Sequence, residues 1–333
     1  MAARIMLIAA IFVLVLLAAI YGVIHYMTGV PGRSHRGPLP ALTDEERALS
    51  ATLKRHLEAI AAREHNIPHY DELERAARTI EATLTSYGYS VGRQEFAVAG
   101  RTVRNIDAVI EPRAGIADPQ VIVVGAHYDS VAGSPGANDN GSGVAAVLEL
   151  ARLLRDYNGA GKRIRLVLFV NEEPPYFKSD AMGSFRYAGA LAARGERVVA
   201  MISLETIGHY SSAPGSQRYP AMFNLLYPDR GDFIAFVGTP SARPLVWQAI
   251  RSFRSHTAFP SIGGVAPAEV PGIDWSDHWS FTQHGFPAMM VTDTALFRYP
   301  HYHQPSDTPD KVDVDSLARV VKGMERVIRD LAR

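Results

Sequence analysis

Several chemistries are missing from this 333-residue sequence. It has no cysteine, which removes disulfides, thiolate metal sites and a thiol nucleophile together. It has no charge excess, because Lys+Arg and Asp+Glu both total 34. The basic domain or stripe that marks a nucleic-acid partner is therefore absent, and none is expected. It lacks the G-x-S-x-G elbow of serine hydrolases and the helical H-E-x-x-H signature. His65 and His69 are four apart, but Asn66 and Pro68 lie between them, so they read as structural or surface residues. Any metal held by this chain must use histidine and carboxylate. No internal repeat and no low-complexity tract is found.

The N-terminus is the first positive signal. Residues 5–24 run without a charge. A membrane-spanning helix needs ~20 mainly apolar residues, whereas a cleavable signal peptide has a shorter apolar stretch of ~7–15 followed by a small-x-small site. His25, Tyr26 and Met27 follow here instead. Residues 1–28 are thus expected to be an uncleaved transmembrane anchor, and residues 29–42, with their Gly, Pro and basic residues, a short linker. Arg4 precedes the span and Arg33 and Arg36 follow it, so charge does not orient it.

From residue 43 the chain reads as one α/β domain. Thr43-Asp44-Glu45-Glu46 is a capped helix start, and Leu49, Leu53, Leu57 and Ile60 recur at helical spacing. A second helix is expected over 71–87, stopped at Gly88. Apolar runs at 121–126, 165–170, 198–204, 233–238 and 287–292 read as strands, and 144–154, 184–193 and 314–331 as helices. This alternation predicts a mixed, largely parallel central sheet flanked by helices on both faces.

The polar residues fall where that fold binds ligands, outside the carboxyl ends of its strands. Strand 121–126 runs into His127-Tyr128-Asp129, 165–170 into Asn171-Glu172-Glu173, 198–204 into Glu205 and 287–292 into Asp293. One histidine after a strand is ordinary; four strands ending in ligand-type residues are not. His127 can offer a neutral imidazole to a metal, and Asp129 suits the carboxylate that orients such a histidine. Asp139 lies in the loop 135–143; taken alone, that loop reads as a turn and helix cap. Glu172 and Glu173 are adjacent carboxylates after a buried strand, a costly pair unless used, since like charges disfavour joint ionisation.

Five segments then occur in order: GAHYDS (125–130), PGANDNGSG (135–143), NEEPPYF (171–177), SLETIG (203–208) and YHQPSDTPDK (302–311). Together they resemble the co-catalytic, two-zinc aminopeptidase family, which also contains glutamate carboxypeptidases and glutaminyl cyclases. The resemblance covers about residues 45–333 and makes residues 43–333 a zinc-peptidase domain. It implies two zinc ions, with His127 and Glu205 on one, Glu173 and His303 on the other, and Asp139 bridging them. It implies Glu172 as general base and Asp129 as the partner of His127. Glu205 departs from the aspartate more usual there, and His303 is preferred over His301 because the Tyr-His pair directly precedes the QPSDTPDK segment.

Two metals ~3.5–4 Å apart can activate water and stabilise a tetrahedral oxyanion, and a carboxylate base can pass the water's proton to the leaving amine. The expected function is therefore an exopeptidase acting on peptides, most simply an aminopeptidase, anchored in a membrane with its catalytic domain outside the cytoplasm. The alternatives are a glutaminyl cyclase, which shares a Ser-Asp-His segment like Ser276-Asp277-His278, a carboxypeptidase, and a non-catalytic receptor-like ectodomain. Tyr210, Phe223, Tyr227, Trp275, Trp279, Phe281 and Phe297 are aromatic candidates for a side-chain pocket.

Overall fold

The computed structural model describes residues 1–333 apart from 114, 115 and 160. Helix α1 (Ala2–Thr28) buries none of its residues. Among the described residues it is the one helix long and apolar enough to cross a membrane. The following stretch does not hang free. Trp247 Nε1 donates to the Gly29 carbonyl at 2.8 Å, Arg254 Nη1 to that of Pro31 at 2.9 Å, and the Ser261 amide to Ser34 Oγ at 2.8 Å.

Helix α2 (Asp44–Ile60) opens on a reciprocal capping box: the Glu46 amide donates to Thr43 Oγ1 at 3.1 Å and the Thr43 amide to Glu46 Oε2 at 2.7 Å. Its Leu49, Leu53, Leu57 and Ile60 are all buried. Helix α3 (Tyr70–Ser86) leads into the antiparallel hairpin of β1 (Gly92–Val98) and β2 (Arg101–Ile110). The turn is Ala99-Gly100, with φ of 49° and 75°, the left-handed pair that matches strand twist in two-residue hairpins. The sequence reading missed this hairpin, because alanine gives no warning of a positive φ.

The chain continues through β3 (Val121–His127), α4 (Gly143–Leu154), β4 (Arg163–Phe169), α5 (Gly183–Ala193), β5 (Val198–Glu205), β6 (Ile234–Gly238), α6 (Arg243–His256), β7 (Ser261–Val265), α7 (His278–Gln283), β8 (Ala288–Thr292), α8 (Ala295–Arg298) and α9 (Val314–Ala332). Every expected strand and helix is present, with ends shifted by a few residues. Strand β7 and helix α6 were not foreseen; the Gly263-Gly264 pair weakens the strand signal of β7.

Among the described residues eight strands form one sheet, in the order β1-β2-β4-β3-β5-β8-β6-β7. The centre, β4-β3-β5-β8, is parallel; β2 joins β4 and β6 joins β8 antiparallel, and β7 is parallel to β6. Val124, Leu168 and Ile202 point into a core with α2, α3, α4, α6 and α9, while Val123, Val167 and Phe169 point into one with α5 and α7. Both faces are covered, which is why the central strands read as unbroken apolar runs. Because β3, β4, β5 and β8 run the same way, their carboxyl ends share one edge.

Candidate metal centre

That edge brings together residues far apart in the chain. His127 Nε2 lies 3.3 Å from Glu205 Oε2, 3.4 Å from Asp139 Oδ1 and 3.8 Å from Glu172 Oε2. His303 Nε2 lies 3.0 Å from Asp139 Oδ2 and 3.5 Å from Glu173 Oε2. His127, Asp139 and Glu205 can converge on one point with donor atoms within 4.8 Å of one another, and so can Asp139, Glu173 and His303. Asp139 is shared by these two groups; His127, Glu172 and Glu173 form a third that meets the same distance, so His127 and Glu173 also occur in two groups each. His301 turns away, its Nδ1 2.8 Å from Ser306 Oγ.

The backbone around these donors is held by buried polar groups. Asn140 clamps β5 to the 137–142 turn: its Nδ2 donates to the Leu204 carbonyl at 2.9 Å, and its Oδ1 accepts from the Thr206 amide at 3.1 Å. Asn138 donates from Nδ2 to Asp293 Oδ2 at 2.9 Å and accepts the Gly208 amide at 2.8 Å. Asp307 accepts the amides of Asn138 (2.8 Å) and Asp139 (3.1 Å) and, at 2.6 Å, the Tyr299 hydroxyl. Ser276 Oγ donates to Glu205 Oε2 at 2.8 Å. Thr206 and His303 carry φ of 44° and 56°, conformations costing of order 1–3 kcal/mol that surrounding bonds must hold. Sequence reading quoted the segments containing Asn138, Asn140 and Asp307 without giving them these roles. Asp307→Ala should orphan two buried amides at about 1–3 kcal/mol each; thermal unfolding should show a marked fall in Tm, and Asp307→Asn a smaller one.

Asp129 was expected to orient His127 through its carboxylate. Its main-chain oxygen has that contact, 3.0 Å from His127 Nδ1, with carboxylate Oδ1 at 3.7 Å. The carboxylate itself accepts the adjacent amides of Glu172 and Glu173, both at 3.1 Å. It thereby fixes the turn that carries both glutamates. Ser276-Asp277-His278 divides its work: Ser276 holds Glu205, buried Asp277 is pushed up to about 7 by desolvation, and His278 Nε2 meets the Ile273 carbonyl at 2.9 Å.

The charges are out of balance without a cation. Burial pushes Glu172, Glu173 and Glu205 above the ordinary carboxylate range, and neighbouring carboxylates add to it. Burial opposes ionisation of Asp139 too, but His127 and His303 hold its carboxyl low. His127 is driven well above its usual value despite burial, by Glu205 and Glu172. Glu173 Oε1 is buried with no hydrogen-bond partner. Three carboxylates (Asp139, Glu173 with its orphaned oxygen, and Glu205) and two imidazoles form a donor set suited to divalent zinc, which takes nitrogen and oxygen ligands.

From Glu205 and Tyr302 an apolar trough runs along β8, β6 and β7, past Met290, Val237, Phe223 and Ile262. Of the aromatic candidates, Phe223, Tyr227, Trp275 and Phe297 line it; Tyr210, Trp279 and Phe281 do not. Among the described residues no lysine or arginine lines it.

The chain resembles known proteins in sequence and in fold. The pattern of "Peptidase family M28" matches residues 105–328. The chain is 43% identical over 264 residues to the uncharacterized protein YfbL of Escherichia coli (strain K12), covering 76% of this chain and 79% of that protein. It is 46% identical over 77 residues to Aminopeptidase YwaD of Bacillus subtilis (strain 168), covering 23% of this chain and 16% of that one. The aminopeptidase from Aneurinibacillus sp. strain AM-1 superposes with a TM-score of 0.67 at 17% identity, over 87% of this chain and 95% of that chain; at such identity the likeness is one of fold.

Proposed function

The chain belongs to peptidase family M28, and from that premise we propose that it is a zinc aminopeptidase with two metal ions, held at a membrane by α1. One observation carries the two-ion reading: Asp139 joins the His127–Glu205 group to the Glu173–His303 group, with one carboxylate oxygen toward each histidine. His127 and Glu205 would hold one zinc, Glu173 and His303 the other, and Asp139 would bridge them. Zinc held there supplies Lewis acidity, stabilising charge on the scissile carbonyl and making the attacking water more acidic. Glu172 takes that water's proton and returns it to the leaving amine. Burial raises its proton affinity, which suits a base that must later act as an acid. Full-length protein should bind two equivalents of zinc and lose activity to chelators; a titration that saturates at one equivalent overturns the bridging assignment.

An amino-terminal preference follows from charge. Glu172 and Glu205 offer carboxylates to a substrate ammonium, whereas a carboxypeptidase needs cations for a terminal carboxylate. Arg186, Arg243 and Arg298 make their contacts elsewhere. Arg298 donates to Gln217 Oε1 at 2.7 Å and the Phe233 carbonyl at 2.8 Å, Arg243 donates to the Tyr26 carbonyl at 3.0 Å, and Arg186 lies 4.8 Å over the Phe96 ring. The trough fits an apolar first side chain. N-acetylation of a peptide should lower kcat/KM by roughly 10–100-fold, the worth of a charge-assisted hydrogen bond, while C-amidation should leave it unchanged. The opposite pattern would make the enzyme a carboxypeptidase. The membrane reading rests on α1, uncharged over residues 5–24 and burying none of its residues; the outward side of the catalytic domain is proposed from the single-anchor layout and the family resemblance.

A further inference from the structure

Residues 219–228, YPAMFNLLYP, carry no charge between Arg218 and Asp229. The segment turns the apolar side chains of Leu225 and Leu226 outward, 88% and 41% exposed. Two adjacent exposed leucines at a loop tip mark a contact surface rather than scatter. Their place in the fold says which surface. Tyr227 Oη donates to the Gly263 carbonyl on edge strand β7 at 3.2 Å. One residue on, a Cβ built on Gly264 would stand 2.5 Å from Tyr227 Oη and 2.7 Å from the main-chain oxygen of Met27, in the last turn of α1. The loop and the end of α1 therefore meet over a single glycine.

That junction is fixed. Arg243 donates to the Tyr26 carbonyl and lies 4.4 Å over the Tyr26 ring and 4.0 Å over Trp247, whose indole nitrogen bonds to Gly29. Tyrosine, tryptophan and arginine gathered where an apolar helix ends are the side chains that favour the membrane–water interface. If the apolar helix ends there, the bilayer surface lies there too, with the 219–227 loop beside it. The loop has the composition of an interfacial element: leucine and phenylalanine flanked by Tyr219 and Tyr227, with Arg218 and Arg230 just outside.

We propose that residues 219–227 are a second membrane contact, inserting Leu225 and Leu226 into the lipid surface beside the anchor. The same loop supplies Tyr219, Phe223 and Tyr227 to the trough. Its insertion sets the outer end of the substrate trough at the bilayer, where peptides with apolar N-termini concentrate. The proposal rests on the reading of α1 as a retained anchor.

The absence of native cysteine makes the test direct. Full-length Leu225→Cys, Val13→Cys and Glu58→Cys each take one environment-sensitive fluorophore and are reconstituted in phosphatidylcholine nanodiscs, with and without spin-labelled phosphatidylcholine. Leu225 is exposed, so its replacement should not disturb folding. The labels at 225 and 13 should emit to the blue and be quenched by the spin-labelled lipid; the label at 58, on the outer face of α2, should do neither. Quenching at 13 but not at 225 overturns the proposal and leaves the anchor standing. A blue shift at 225 without lipid quenching also overturns it, and points to a second copy or a protein partner as the cover. No quenching at 13 removes the anchor reading and this proposal with it.

Discussion

Replacing Glu172 by glutamine is expected to lower kcat by ~10²–10⁴-fold, the usual worth of a general base, with bound zinc unchanged. Both halves of the result are needed. Glu172 and Glu173 are neighbours, their amides capped by the same Asp129 carboxylate at 3.1 Å, so a structural role would affect both alike. Both can offer an oxygen to a common point with His127, but their nearest imidazoles differ: Glu173 Oε2 reaches His303 at 3.5 Å, while Glu172 Oε2 stands 3.8 Å from His127 Nε2. Glu173→Gln should therefore lose metal first and activity as a consequence. Metal analysis on both variants, with kcat measured at saturating zinc, separates the roles. If the two lose zinc equally, Glu172 is a ligand and the base must be sought elsewhere.

That Glu172 and Glu173 belong to the candidate site was legible before any fold was known, because two carboxylates after a buried strand need a use. So were the strands themselves, since a central strand covered on both faces must be apolar at every position. What sequence could not give was the support. Asn138 and Asn140 look like turn residues, and they are turn residues; that their amides also clamp β5 and Asp293 depends on contacts 64 and 155 positions away. Asp307 lay within a recognised segment, yet its work is to accept two amides from the 137–142 turn, 168 and 169 residues earlier. Strand β7 was invisible for a local reason, its two glycines, and the second of them, Gly264, gives the close approaches to Tyr227 and to the end of α1. Residues 29–34 read as a linker by composition, while their hydrogen bonds to α6 and β7 hold the end of α1 against the domain.

The largest effect on the metals themselves is expected from Asp139→Asn. Asp139 joins the His127–Glu205 group to the Glu173–His303 group: its Oδ1 faces His127 at 3.4 Å and its Oδ2 faces His303 at 3.0 Å. An asparagine keeps the shape and one oxygen but turns the other position into an NH₂ that cannot ligate, and it removes the negative charge that offsets two divalent ions. Outer-sphere partners of metal ligands are already worth ~10–100-fold in affinity or activity, so loss of a shared ligand should cost at least ~10²-fold in zinc affinity and leave hardly any turnover. The turn should survive, because the amides of Asn138 and Asp139 remain bound to Asp307 and the Asn140 clamp does not involve the changed side chain; circular dichroism checks this. Glu205→Gln gives the comparison, since Glu205 stands with one group only and its loss should leave one zinc bound. Equilibrium zinc titration of the two variants therefore reads the architecture directly: both sites weakened for Asp139→Asn, one for Glu205→Gln. If Asp139→Asn weakens a single site and spares the other, the aspartate belongs to one ion, and the shared-donor arrangement at the centre of the proposed mechanism is wrong.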